Sequence, residues 1–166
     1  MASTTELIKE LREKTGAGIM ECKRAIEDAM QDLGKAEQLL KERGLAKAAK
    51  KVGREANQGI VDAYIHAGGR VGAMVEVNCE TDFVARNDEF RTLVHDIAMQ
   101  VAAMNPSRIS GDEPSADGAF GDVPLLDQPF IKDSNKTIQD LVTEGIAKLG
   151  ENIVVRRIAR FELGGG

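Results

Sequence analysis

Cysteine is scarce in this sequence. Its two cysteines, Cys22 and Cys79, stand 57 positions apart, with no CxxC spacing and no histidine close to either. That excludes a zinc ribbon and a disulfide-dense secreted scaffold, and leaves reduced thiols as the expected state. No run of 18 apolar residues occurs, and the N-terminus, MASTTELIKELREK, turns charged and amphipathic at once. Neither a membrane span nor a secretory leader is expected, which places the chain in the cytoplasm. Nucleotide-binding signatures are missing too: there is no GxxxxGK[ST], and Gly16, Gly18, Gly68, Gly69 and Gly72 do not form a GxGxxG between a strand and a helix. His66 and His95 have no nucleophile beside them and read as surface or partly packed side chains. The chain is therefore not expected to be an enzyme, nor to hold a cofactor or metal. A formal net charge of −5 argues against a protein whose task is to coat nucleic acid.

What is present is ordinary globular material, 42% apolar and 30% charged over 166 residues, enough for one or two small domains. The spacing predicts three short helices by residue 44. Ser3 and Glu6 have the S-x-x-E form of a capping box, and Leu7, Ile8 and Leu11 then share a face. Gly16 and Gly18 end that helix, because two glycines in three residues cost helix stability and permit a tight turn. Ile19, Cys22, Ile26, Ala29 and Met30 belong to a second helix. After Asp32, Leu33 and Gly34, a third carries Ala36, Leu39 and Leu40, with Gly44 as its C-cap. This defines a helical domain at 1–45.

Residues 46–57, rich in alanine and basic side chains, suggest a helical connector. Between Lys41 and Arg54 six basic residues meet one acidic, a local +5 that leaves −10 for the rest of the chain. The segment lacks an aromatic for base stacking, so a solvated helix face or a docking surface for an acidic partner is the simpler reading. An RNA-binding adaptor using this connector is the alternative.

Residues 58–166 read as an α+β core. The run from Gly59 to Asn78 alternates about Gly68 and Gly69 as a β-hairpin, with Val61, Ala63 and Ile65 expected on the same face as Val71, Ala73, Val75, Val77 and Cys79. Asp88 is placed as the cap of a helix through Phe90, Leu93, Val94, Ile97, Val101 and Met104. A Gly/Asp/Pro-rich loop is expected at 107–129, then a helix from Lys136 to Leu149 capped by Gly150, then a last strand over 153–163.

Between hairpin and helix stands TDFVARND, residues 81–88, with an aromatic where the alternation stops. From pattern alone, Phe83 and Val84 either staple the start of the next helix, as apolar residues before an N-terminus often do, or project from a loop tip.

TDFVARND resembles the signature loop of the bacterial elongation factor Ts family. LIKELREKTGAGIMECKRAI at 7–26 is similar to that family's N-terminal signature, and LLDQPFIKD with LGENIVVRRIARFEL, within 125–163, to its C-terminal segment. The chain resembles the family's short members. The resemblance implies a three-helix, ubiquitin-associated-like domain followed by an α+β core in which a three-stranded antiparallel sheet packs against helices. It also implies nucleotide exchange on elongation factor Tu during protein synthesis, and homodimerisation through the core. Carried over by motif, Thr81, Asp82, Phe83 and Val84 enter the GTPase and disturb its Mg²⁺ and phosphate site. Arg12, Met20, Lys23 and Lys51 make further partner contacts, unless Met20 is bundle core. A rival reading takes the helical domain as a peptide-binding module only.

Overall fold

The computed structural model describes residues 2–114 and 122–165 and divides into two units, 1–50 and 51–166. In the first, α1 (Thr4–Thr15), α2 (Ile19–Asp28) and α3 (Leu33–Ala49) pack on one another. Local chemistry sets their ends. Ser3 and Glu6 form the expected capping box, Gly16 closes α1 in the left-handed region at φ 67°, and Asp32 caps α3 by accepting from the Lys35 amide. Leu11, Cys22, Ala25, Ile26, Ala29 and Ala36 form the buried core, with Leu7, Ile8, Leu33, Leu39 and Leu40 packed around it. Ile19 and Met30 are exposed and do not join it. Gly44 does not cap α3. The helix continues through it to Ala49, because Leu45, Ala46, Lys47, Ala48 and Ala49 are all strong helix formers that offset one interior glycine. Residues 46–49 of the expected connector thus complete α3, while 50–57 make turns and extended chain without a helix.

The second unit is built on a three-stranded antiparallel sheet in the order β1-β2-β5, from β1 (Gln58–Ile65), β2 (Val71–Cys79) and β5 (Val154–Glu162). A one-turn helix, α4 (Asp82–Ala85), follows β2, and the long helix α5 (Asp88–Met104) lies against the sheet. Asn87, not Asp88, caps α5, accepting from the amides of Glu89 and Phe90. Phe90, Val94, Ile97, Ala98 and Val101 of α5 are buried, as are Ala73, Val75, Val77 and Cys79 of β2.

The hairpin face differs from expectation in β1. Tyr64 pairs with Ala73 and Asp62 with Val75, so even-numbered residues of β1 stand opposite odd-numbered residues of β2. Directly opposed residues share a face. Ile60, Asp62 and Tyr64 therefore face α5, while Val61, Ala63 and Ile65 lie on the far side with Met74, Ala159 and Phe161. Gly59 makes the close pairing possible: at φ 144°, a Cβ there would stand 2.2 Å from the Val77 carbonyl oxygen.

Part of the expected 107–129 loop is ordered chain. Residues 125–127 form a 3₁₀ turn with Leu125 buried, and β3 (Pro129–Phe130) pairs with β4 (Asp133–Thr137). Residues 115–121 of that loop lie outside the described residues. The helix expected from Lys136 starts instead at Ile138: α6 (Ile138–Leu149) is opened by a second capping box, Thr137 with Asp140, which fixes Thr137 as the non-helical cap. The wholly buried Gln100 ties α5 to this hairpin, donating to Gln128 and to the Pro129 carbonyl and accepting from the Ile131 amide.

Candidate functional site

The turn from β2 into α5 carries the candidate site. Thr81 caps α4, its hydroxyl accepting from the Val84 amide at 3.4 Å. The TDFV segment is therefore a helical turn rather than a loop. Thr81 is fixed on three sides. Its amide donates to Glu151 Oε1 at 2.9 Å, its hydroxyl to Glu151 Oε2 at 2.7 Å, and its carbonyl accepts from the Cys79 thiol at 3.2 Å. The Glu80 amide also donates to Glu151, and the Glu80 carboxylate accepts in return from the Asn152 amide at 2.8 Å and lies 3.6 Å from Arg54. Asn152 in turn donates through Nδ2 to the Arg54 carbonyl at 2.7 Å.

On this base Phe83 is 82% exposed. A staple at Phe83 is excluded, because a ring in water packs nothing; the buried aromatic of the following helix is Phe90. Asp82 is exposed beside Phe83 and pairs with Arg86 at 3.2 Å, an exposed i,i+4 pair worth about 0.3–0.5 kcal/mol. Val84 is half-buried and Ala85 buried, so the turn rests one side on the core and offers Asp82 and Phe83 outward.

Arg12, Met20 and Lys23 lie in the first unit and all are exposed. Met20, at 59%, is not bundle core, and Ile19 beside it is exposed as well. Lys23 sits 3.9 Å from Glu27. Lys51 belongs to the second unit, half-buried in the turn before β1. Within the basic segment, Lys47 is paired with Glu21, Arg43 with Asp28 and Arg54 with Glu80, so three of its six cations already stand beside carboxylates. This weakens the RNA-adaptor reading.

The family model described as "Elongation factor TS" matches residues 3–119 and 80–166 of the sequence. The chain belongs to the elongation factor Ts family. It is 48% identical to elongation factor Ts of Carboxydothermus hydrogenoformans, over 98% of this chain and 90% of that protein. Against elongation factor Ts of Thermodesulfovibrio yellowstonii the identity is again 48%, over 99% of this chain and 98% of the relative. Elongation factor Ts of Acetivibrio thermocellus matches at 48% over 98% of this chain and 91% of the relative. The aligned stretch is 195 residues, more than the 166 of this chain, so these members of the elongation factor Ts family carry residues that it lacks. Family membership gives the chain a role as an elongation factor in protein synthesis.

In this elongation factor Ts chain both cysteines are buried and free. Burial pushes the Cys79 thiol up to about 11, with the Glu151 charge adding to the effect, and burial raises that of Cys22 as well. The Cys79 thiol therefore stays protonated at neutral pH. Both thiols are expected to resist an aromatic disulfide reagent in the folded protein and to react once it is unfolded; rapid labelling of either in the native state would contradict the buried placement. Sequence reading missed Glu151 altogether. Its one local signal was Gly150, recognised as the end of α6, since a left-handed cap (φ 74°) is what turns the next residue back toward the sheet.

Among the described residues no helix is long and apolar enough to cross a membrane, and no group of three or more His, Cys, Asp and Glu is placed to hold a metal ion.

Proposed function

We propose that the chain is the guanine-nucleotide exchange factor for elongation factor Tu, acting in the cytoplasm and without enzymatic chemistry of its own. The observation that carries this reading is Phe83: a large aromatic held in water, next to Asp82, on a turn whose base is fixed by hydrogen bonds. A side chain so placed gains nothing for its own fold and is suited to burial in a partner. In this reading Phe83 wedges into the GTPase, Asp82 acts by charge and hydrogen bonding near the Mg²⁺ site, and Thr81 and Val84 set the turn from which both project.

Magnitudes limit what the wedge does alone. Speeding release about 10⁴-fold needs roughly 5.5 kcal/mol of barrier lowering, whereas burying one Phe supplies about 1.5–3 kcal/mol. A second contact region is required, and exposed Arg12, Met20 and Lys23, with Lys51, are the residues proposed for it. Reciprocity follows: whatever weakens GDP binding makes GDP weaken the factor's own binding. The test is release of a fluorescent GDP analogue from purified elongation factor Tu, with and without this protein. Unaccelerated release would remove the exchange reading.

The homodimer belongs to the same proposal. Val61, Ile65, Met74 and Phe161 put an exposed apolar surface on the sheet face away from α5, with the Glu76–Arg157 pair beside it. An apolar patch of this kind on a sheet supports burial against a second copy, which would also shield the edge strands β1 and β5. Charges placed there, Met74→Asp with Phe161→Asp, are expected to convert a dimer to monomer in sedimentation at micromolar concentration with little loss of thermal stability. A wild-type protein monomeric at all concentrations would end this part of the reading.

A further inference from the structure

We propose that Glu151 is the positioning residue of the exchange turn, the group that sets the direction in which Phe83 projects. This rests on the exchange reading above. Phe83 is 82% exposed and has little packing to fix its direction, so its orientation is inherited from the backbone of α4, and α4 is a single turn too short to hold itself. Beside the buried Ala85, part of what holds it comes from the far end of the chain. One carboxylate oxygen of Glu151 accepts from the amides of both Glu80 and Thr81, at 3.1 and 2.9 Å. The other accepts from the Thr81 hydroxyl, whose oxygen accepts from the Val84 amide. The carboxylate is thus connected through one hydroxyl to the residue that follows Phe83.

Glu151 is held in its turn. It follows the left-handed Gly150, and the next residue, Asn152, is fastened by its amide to Glu80 and by its side chain to the Arg54 carbonyl. Two tight turns, one after β2 and one after α6, therefore grip each other through reciprocal carboxylate-to-amide bonds. Of the two carboxylates, that of Glu151 is the one that reaches the capping hydroxyl. Aspartate, one methylene shorter, does not reach both donors, whereas glutamine keeps a carbonyl oxygen for the two amides and an amide group that the Thr81 hydroxyl accepts from.

The experiment is GDP release from elongation factor Tu at saturating factor, comparing wild type, Glu151→Gln, Glu151→Ala, Phe83→Ala and the Glu151→Ala/Phe83→Ala double variant. Glu151→Ala is expected to lose at least tenfold in maximal release rate, Glu151→Gln to recover most of that loss, and the double variant to be no slower than Phe83→Ala alone. Non-additivity of this kind identifies a residue that acts through Phe83, which a general loss of structure does not produce. Wild-type rates in Glu151→Ala, or an equal further loss in the Phe83→Ala background, would overturn the positioning role while leaving the exchange reading intact. A wild type that fails to accelerate release overturns both. Should Glu151→Ala not fold, Thr81→Val removes the hydroxyl that joins Glu151 to the Val84 amide and leaves the Thr81 amide bond, and Thr81→Ser retains that hydroxyl. The valine variant is then expected to fall at least threefold below the serine variant, and equal rates would count against the role.

Discussion

Replacing Phe83 by alanine is expected to leave the protein folded and, on the exchange reading proposed above, to slow GDP release from elongation factor Tu severely. The ring is 82% exposed, so its loss takes away no core packing, and a surface change of this kind shifts stability by about 0.5 kcal/mol or less. If the ring is instead buried in the GTPase at the moment of release, the lost burial of about 1.5–3 kcal/mol corresponds to roughly a ten- to hundredfold slower exchange. Urea unfolding and stopped-flow release of a labelled GDP, on the same preparation, separate the two. A variant with unchanged stability and unchanged exchange would show that the aromatic has no part in the reaction. A variant destabilised by about 3 kcal/mol would show that Phe83 is core after all.

Seven residues on, the same substitution is expected to give the opposite result. Among the described residues Phe90 is the largest of the fully buried side chains, at the first turn of α5 and on the face packed against the sheet. Phe90→Ala removes its burial and leaves a cavity, a combined cost of about 3–5 kcal/mol. Against the total stability of a small domain, about 5–15 kcal/mol, that is severe, and the melting temperature of the second unit should fall by roughly ten degrees or more. Phe90→Leu, which refills most of the volume, should lose much less. A Phe90→Ala protein melting within two or three degrees of wild type, on the order of a 0.5 kcal/mol change, would mean that the α5–sheet interface is not packed as described.

The two phenylalanines also mark where sequence reading was sufficient and where it stopped. Phe90 was legible because it repeats with Val94, Ile97 and Val101, and only one face of a helix fits that period. Phe83 was not, because one aromatic before a helix is compatible with a staple or with exposure, and the choice depends on packing. The three N-terminal helices came from the capping box and the paired glycines, which act within a few residues. The parity of β1 did not, since it is set by how the His66–Val71 turn closes: the pairing of Ile65 with Gly72 puts odd against even, and a one-residue difference flips every side chain. Strand β4 escaped notice because DSNKT has no apolar alternation to read. Glu151 was out of reach for a plainer reason, as its hydrogen-bond partners lie 70 and 71 residues away.

That separation bears on how the protein comes to exist. The first unit is made of contacts between neighbouring helices, which form in microseconds to milliseconds, and all of its residues leave the ribosome early. The sheet is different. Its middle strand, β2, finds its second partner, β5, only at the end of the chain, and Thr81 finds Glu151 only a few residues before that. During synthesis a nascent chain therefore carries a folded helical unit ahead of an unfinished sheet with one edge of β2 still bare. The turn that bears Phe83 acquires its geometry in the last stage of folding, so a chain truncated before residue 151 keeps Phe83 but lacks the carboxylate that fastens its turn.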